Sequence, residues 1–132
     1  MKNVKGCGID IEEISRFNDK LPDIEGTSRF AHLVYTQAEI ECNMKVRPEL
    51  TFPLSFCCKE AVFKSFGVSW INSKISWKDI ELLFNDENDL KNYTIRLNGY
   101  AGELFRTMKC SGMESSIEFT ETYVMFQFIL LS

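Results

Sequence analysis

Two short segments hold the residues that could do chemistry. In Gly8-Ile9-Asp10-Ile11-Glu12-Glu13-Ile14, acidic and apolar side chains alternate with period two. A strand here puts Asp10 and Glu12 on one face, about 6.6 Å apart along the chain, and assigns Ile9 and Ile11 to the core face. Two carboxylates at that spacing can share an oxygen-seeking cation such as Mg²⁺, with water or a substrate phosphate completing the octahedron. The second segment is Phe56-Cys57-Cys58-Lys59-Glu60-Ala61-Val62-Phe63-Lys64-Ser65-Phe66-Gly67. It reads as a helix apolar nearly all the way round, with Glu60 on the stripe shared by Phe56 and Phe63. An ionised carboxylate in such a helix needs a cation. Lys64, one turn on, is one candidate, and a metal shared with the acidic strand is the other. On these residues alone, a solvated acidic strand face and a simple Glu60–Lys64 pair are the competing readings.

The elements that would position these residues form an α+β pattern. Residues 4–12 read as a strand and Glu13–Asn18 as a short helical piece, with breaks at Pro22 and Gly26. Thr36 is placed as an N-cap, with Glu39 three residues later completing a capping box and the helix running to Asn43 or Met44. Pro48 and Pro53 bracket a loop before a long helix over 54–66, closed by Gly67 as its C′ residue. Ser76–Phe84 and Tyr93–Leu97 read as strands joined by a polar turn at 85–89, which lacks the ligand spacing and central glycine of an EF-hand. Ala101–Lys109 reads as a helix. Ser115–Phe119 and Thr122–Leu131 read as a closing hairpin, whose second strand is apolar enough to be covered on both faces. The expected fold is one domain with an antiparallel sheet packed around a long buried helix.

Composition sets limits. The chain of 132 residues is sized for a single core. Its net charge of −4 gives no support for nucleic-acid binding. No apolar run reaches the roughly 18 residues a membrane span needs, and the opening Met1–Gly6 lacks the apolar core of a signal peptide, so a cytoplasmic location is expected. The five cysteines are an odd number without paired spacing, which indicates reduced thiols. There is no Cys-x-x-Cys, and His32 is the one histidine, which disfavours zinc and His-based nucleophile chemistry. His32 is placed at a helix surface or core edge. Basic residues follow the acidic strand (Arg16, Lys20, Arg29) and the capping-box helix (Lys45, Arg47), and such local patches can steer an acidic partner.

Taken together, Gly-Ile-Asp-Ile-x-Glu-Ile-x-Arg at 8–16, Tyr35-Thr36-Gln37-Ala38-Glu39, and Phe-x-x-Lys-Glu-Ala-x-x-Lys-x-x-Gly at 56–67 resemble the signatures of the 4′-phosphopantetheinyl transferases. Their order and separation are similar to those of the short subgroup, the holo-acyl-carrier-protein synthases. Asp79-Ile80-Glu81-Leu82 is similar to a strand that follows in that subgroup. The resemblance implies transfer of the phosphopantetheine arm of coenzyme A to a serine of a carrier protein. It implies Mg²⁺ held by Asp10 and Glu60, with Glu12 as an added ligand. Lys59 and Lys64 would be the cationic partners of the phosphates. Lys45 and Arg47 would assist coenzyme A binding. Arg16, Lys20 and Arg29 would face the carrier. The general base is left open between a metal-activated water and one of the carboxylates. Because the longer members place the site between two lobes, a one-lobe chain implies a homotrimer with shared sites. Two positions depart from the family pattern: Ser55 stands where an arginine is usual, and Phe119 where a histidine is usual. Lys45, Arg47 or Arg106 could supply a missing positive charge. The alternative function is a non-catalytic member of the same fold that binds a carrier protein or nucleotide. A hot-dog-like thioesterase or dehydratase is disfavoured, because no His/Asp pair is available.

Overall fold

The computed structural model describes residues 2–22, 28–69, 71 and 73–132. The break expected at Gly26 lies outside them. The chain runs β1 (Val4–Glu13), a 3-10 turn (Ile14–Phe17), α1 (Arg29–Val34), α2 (Gln37–Lys45), α3 (Pro48–Ser65), a second 3-10 turn (Trp77–Asp79), β2 (Ile80–Phe84), β3 (Tyr93–Leu97), α4 (Gly99–Thr107), β4 (Gly112–Phe119) and β5 (Tyr123–Leu131). β1, β5 and β4 form an antiparallel sheet in that order, and β2 pairs with β3 in a separate hairpin.

The organising contact is α3 against the three-stranded sheet. Val124, Phe126, Phe128 and Leu130 of β5 meet Leu54, Cys58, Ala61 and Val62 of α3 in one continuous core. In register, Gly8 stands beside Phe128, Asp10 beside Phe126 and Glu12 beside Val124. Asp10 therefore lies on the face that packs against α3, with only 8% of its surface exposed. Ile9 and Ile11 point the other way and are 48% and 59% exposed. This inverts the expectation that the isoleucines line the core. Alternation fixes which residues share a face but not which face is covered. The same open face carries Met125, Gln127 and Ile129 of β5, which are half-buried, so β5 is fully covered on one side only.

Two glycines permit the close approach of α3. A Cβ on Gly8 would lie 2.0 Å from the Ala61 carbonyl oxygen, and one on Gly6 would lie 2.1 Å from that of Ser65. Any larger residue would push the helix off the strand.

The capping box forms as expected. Thr36 Oγ1 accepts from the Glu39 amide at 3.1 Å, and Glu39 Oε1 accepts from the Thr36 amide at 3.0 Å. α3 begins at Pro48 rather than after Pro53. Pro48 sits where a missing amide costs nothing, and the bond that Pro53 cannot donate would reach back to exposed Glu49 in the first turn. The C′ glycine is present, with Gly67 at φ +73. Residues 77–79, expected as strand, form a 3-10 turn, because the Ser76 hydroxyl and Asp79 carboxylate cap each other's backbone. His32 lies on the exposed side of α1. Among the described residues, no helix is long and apolar enough to cross a membrane.

Candidate active site

Asp10 is gripped from α3 at two points on one helical stripe, about two turns apart. Cys57 Sγ donates to the Asp10 main-chain oxygen at 2.9 Å, and Lys64 Nζ donates to Asp10 Oδ1 at 3.0 Å. Lys64 also donates to the Ile9 carbonyl at 2.9 Å. Burial pushes the Cys57 thiol far above its ordinary range, with Asp10 adding to the effect, so it stays protonated and able to donate. Glu60 lies between Cys57 and Lys64 on the same helix. Lys64 pairs with Asp10, and not with Glu60 as the competing reading of the helix had it.

Glu60 and Glu12 line one cleft of about 330 Å³ with Arg16, Phe17, Lys20, Phe30 and Phe56. Glu12 is raised from 4.5 to about 7, first by burial, then by a hydrogen bond and like charge from Asp10, with Glu60 adding further repulsion. Arg16, 3.6 Å from Glu12, opposes this. Glu60 is raised for the same reasons, burial first and then Asp10, and Lys64 lowers it. Glu12 feels both Asp10 and Glu60, and Glu60 feels Asp10, so the structure brings the acidic strand and the helix glutamate together.

The arrangement suits a hard cation. With Glu12 ionised, Asp10 Oδ2 is buried without a hydrogen-bond partner, an oxygen that a cation would satisfy. A divalent charge would also relieve the repulsion felt by Glu12 and Glu60. The residues therefore fit Mg²⁺, although among the described residues no three acidic, His or Cys side chains stand as a ready-formed metal cluster. Lys64 lies across Asp10 instead.

Other expected site residues fall in different places. Lys59 is not a phosphate ligand here. Its side chain is fully buried, and it donates to Glu39 Oε1 at 2.7 Å, to the Trp77 carbonyl at 3.0 Å and to the Ile80 carbonyl. All three ammonium donors are engaged away from the cleft. Arg47 is exposed, 3.7 Å from Glu49 and 5.8 Å above the Phe119 ring. It lines a separate cleft of about 430 Å³ with Ile14, Leu50, Phe119 and Thr120. Lys45 is exposed at the end of α2, and Arg106 is exposed on α4. Ser55 is fully buried and accepts from Asn43 Nδ2 at 3.0 Å, so it offers nothing to a ligand. Arg16 and Lys20 reach the acidic cleft, and exposed Arg29 precedes Phe30 of its floor.

The aromatic floor was not anticipated. Phe17, Phe30 and Phe56 pack edge to face or tilted, and Phe56 stacks on Trp77 with ring centres 5.3 Å apart. They come from three distant segments, and nothing in their spacing links them.

The family model of the 4′-phosphopantetheinyl transferase superfamily matches residues 6–123. A holo-acyl-carrier-protein synthase of Geobacter sp. (strain M21) is 36% identical over 104 residues, covering 78% of each chain. The structure of Neisseria meningitidis holo-acyl-carrier-protein synthase superposes with a TM-score of 0.76 at 19% identity, covering 98% of this chain and 99% of that one. The Helicobacter pylori enzyme, solved in complex with coenzyme A, superposes with a TM-score of 0.73 at 20% identity, covering 94% and 98%.

Proposed function

Since the chain belongs to the 4′-phosphopantetheinyl transferase superfamily, we propose that it moves the phosphopantetheine arm of coenzyme A onto a serine of an acyl or peptidyl carrier protein. The serine hydroxyl gives up its proton to a base at the site, and its oxygen forms a bond to the β-phosphorus of the pyrophosphate. The bond from that phosphorus to the bridging oxygen breaks, and adenosine 3′,5′-bisphosphate leaves with the oxygen. The observation that carries this reading is that Glu12 and Glu60 line one cleft and both feel the charge of Asp10, whose Oδ2 is buried and unpartnered while Lys64 holds its Oδ1.

Asp10, Glu60 and Glu12 are the residues that would hold Mg²⁺. The chemistry it supplies when bound is neutralisation of charge on the pyrophosphate oxygens. Phosphoryl transfer otherwise needs alignment and further positive charge. Lys64, half-exposed at the edge of the acidic cluster, supplies a cation for the phosphate oxygens. Arg16 and Lys20, at the rim, attract the acidic face of the carrier and bring its serine over the cleft, with Arg29 extending the basic surface. Arg47 and Lys45 are the cations left to hold the nucleotide end of coenzyme A. Arg47 is held over the Phe119 ring, at the position where the family usually has histidine.

Arg47 and the acidic cluster line different clefts of the same protomer. Ile9 and Ile11 leave an apolar sheet face open to solvent. Both features support a homotrimer in which a neighbouring copy covers the sheet and completes the site.

The test is intact mass spectrometry of a panel of apo-carrier proteins incubated with the chain, Mg²⁺ and coenzyme A. A gain of one phosphopantetheine arm is expected on at least one carrier. No gain on any carrier, with coenzyme A still bound, would instead select the non-catalytic reading.

A further inference from the structure

Helix α3 is apolar around nearly its whole circumference. Leu50, Phe52, Leu54, Ser55, Cys57 and Cys58 are all buried, and they cover more than half of the circumference, leaving the arc that carries Phe56, Glu60 and Lys64. Burial over so wide an arc fixes the rotation only loosely. Yet the chemistry proposed above needs one rotation, with Glu60 in the cleft and Lys64 across Asp10. Something must select it.

The glycine contacts at Ala61 and Ser65 hold one side of the helix, and a buried polar cluster on another side completes the selection. Glu39 is held in place by the Thr36 amide on Oε1 at 3.0 Å and the Leu82 amide on Oε2 at 3.1 Å. It receives Lys59 Nζ at 2.7 Å. The same ammonium reaches the carbonyls of Trp77 and Ile80. Three separate elements, the start of α2, the 3-10 turn and the start of β2, thus fix one side chain of α3. Lys59 is the residue immediately before Glu60, and neighbours on a helix point about 100° apart. With Lys59 fixed inward, Glu60 has a single direction, and it is the cleft. The Trp77 carbonyl that accepts from Lys59 belongs to the residue whose ring stacks on Phe56 of the cleft floor.

We propose that Lys59, clamped by Glu39, is a positioning residue that sets the rotation of α3 and so aims Glu60 and Lys64 at the metal and phosphate site. This rests on the transferase reading and adds to it a role that no residue of the cleft performs. Removing one charge would strand the other in the core, so the informative variant removes both, as Lys59→Met with Glu39→Gln.

Binding of Mn²⁺ to the full chain is read by the loss of its free paramagnetic signal, alongside the thermal midpoint. The pair variant is expected to fold and to bind Mn²⁺ about tenfold more weakly, the scale seen when outer residues that orient metal ligands are lost. The half-saturating Mg²⁺ concentration for transfer should rise with it. A purely structural pair would alter the midpoint and leave the metal affinity of the folded protein unchanged, and that result overturns the proposal. Should the pair variant not fold, Glu39→Asp alone, which keeps the charge but shortens its reach to Lys59 and so loosens the clamp, is measured in its place. Weaker Mn²⁺ binding then supports the proposal, and unchanged binding overturns it. If the unaltered chain itself binds no Mn²⁺, the metal assignment fails first, and the two failures are told apart.

Discussion

Glu12→Gln should stabilise the metal-free protein at alkaline pH, although it removes a charge next to an arginine. Glu12 has a folded pKa of about 7, against 4.5 for an unperturbed carboxyl, with burial and then Asp10 as the main causes. A carboxyl shifted this way keeps a proton in the fold that the unfolded chain has already released. Stability therefore falls as pH rises between about 4.5 and about 7, and above 7 the full penalty is present. The gap corresponds to a ceiling of about 3 kcal/mol. The cleft is open to solvent, which screens charges, so roughly 1–2 kcal/mol is the expected effect. For a chain of this size that is a rise of roughly 3–8 °C in the melting midpoint. The assay is a set of thermal melts in EDTA at pH 5 and pH 8, for both proteins. The variant should gain at pH 8 and gain little at pH 5. Adding Mg²⁺ should then stabilise the unaltered chain more than the variant, because the ion removes the same repulsion. An equal midpoint at pH 8, or a gain that is the same at both pH values, would refute the crowding of carboxylates around Asp10.

Asp10→Ala and Glu60→Ala should each abolish transfer to the carrier in the intact-mass assay while leaving the far-ultraviolet circular dichroism intact, since neither contributes to the hydrophobic core. Near-normal turnover in either variant would remove that residue from the site. Arg16→Glu should raise the apparent KM for the carrier far more than for coenzyme A, and the difference should shrink as salt is added. An equal rise for both substrates would place Arg16 with the nucleotide instead.

Much of this site could be read before any coordinates, because its signals are local. The capping box at Thr36 and Glu39, the C′ glycine at 67 and the greasy helix with one misplaced glutamate are short-range patterns with fixed physical causes. What could not be read depended on rotation or on distant partners. Lys59 and Lys64 both sit near Glu60 in sequence, and only the rotation of α3 decides that one is sealed inside and the other reaches Asp10. Glu39 looked complete as a capping residue, but its carboxylate has room for Lys59 and the Leu82 amide as well. Prolines commonly mark loops, but Pro48 at the first helical position favours a helix, so α3 starts six residues before the position the sequence predicts.

The inverted strand is the most instructive case, because the information was present. Gly6, Gly8, Asp10 and Glu12 follow one another at period two, so they share a face of β1. Glycine in a strand marks where another backbone comes close, and here α3 comes so close that a Cβ on Gly8 would overlap the Ala61 carbonyl. The face bearing the glycines had to be the one under the helix, and the carboxylates two and four residues on were carried there with it. The isoleucines were left for the opposite side. The same spacing thus accounts for two features at once. It presses Asp10 against Lys64 with an oxygen left unsatisfied, and it leaves Ile9 and Ile11 bare on the opposite sheet face.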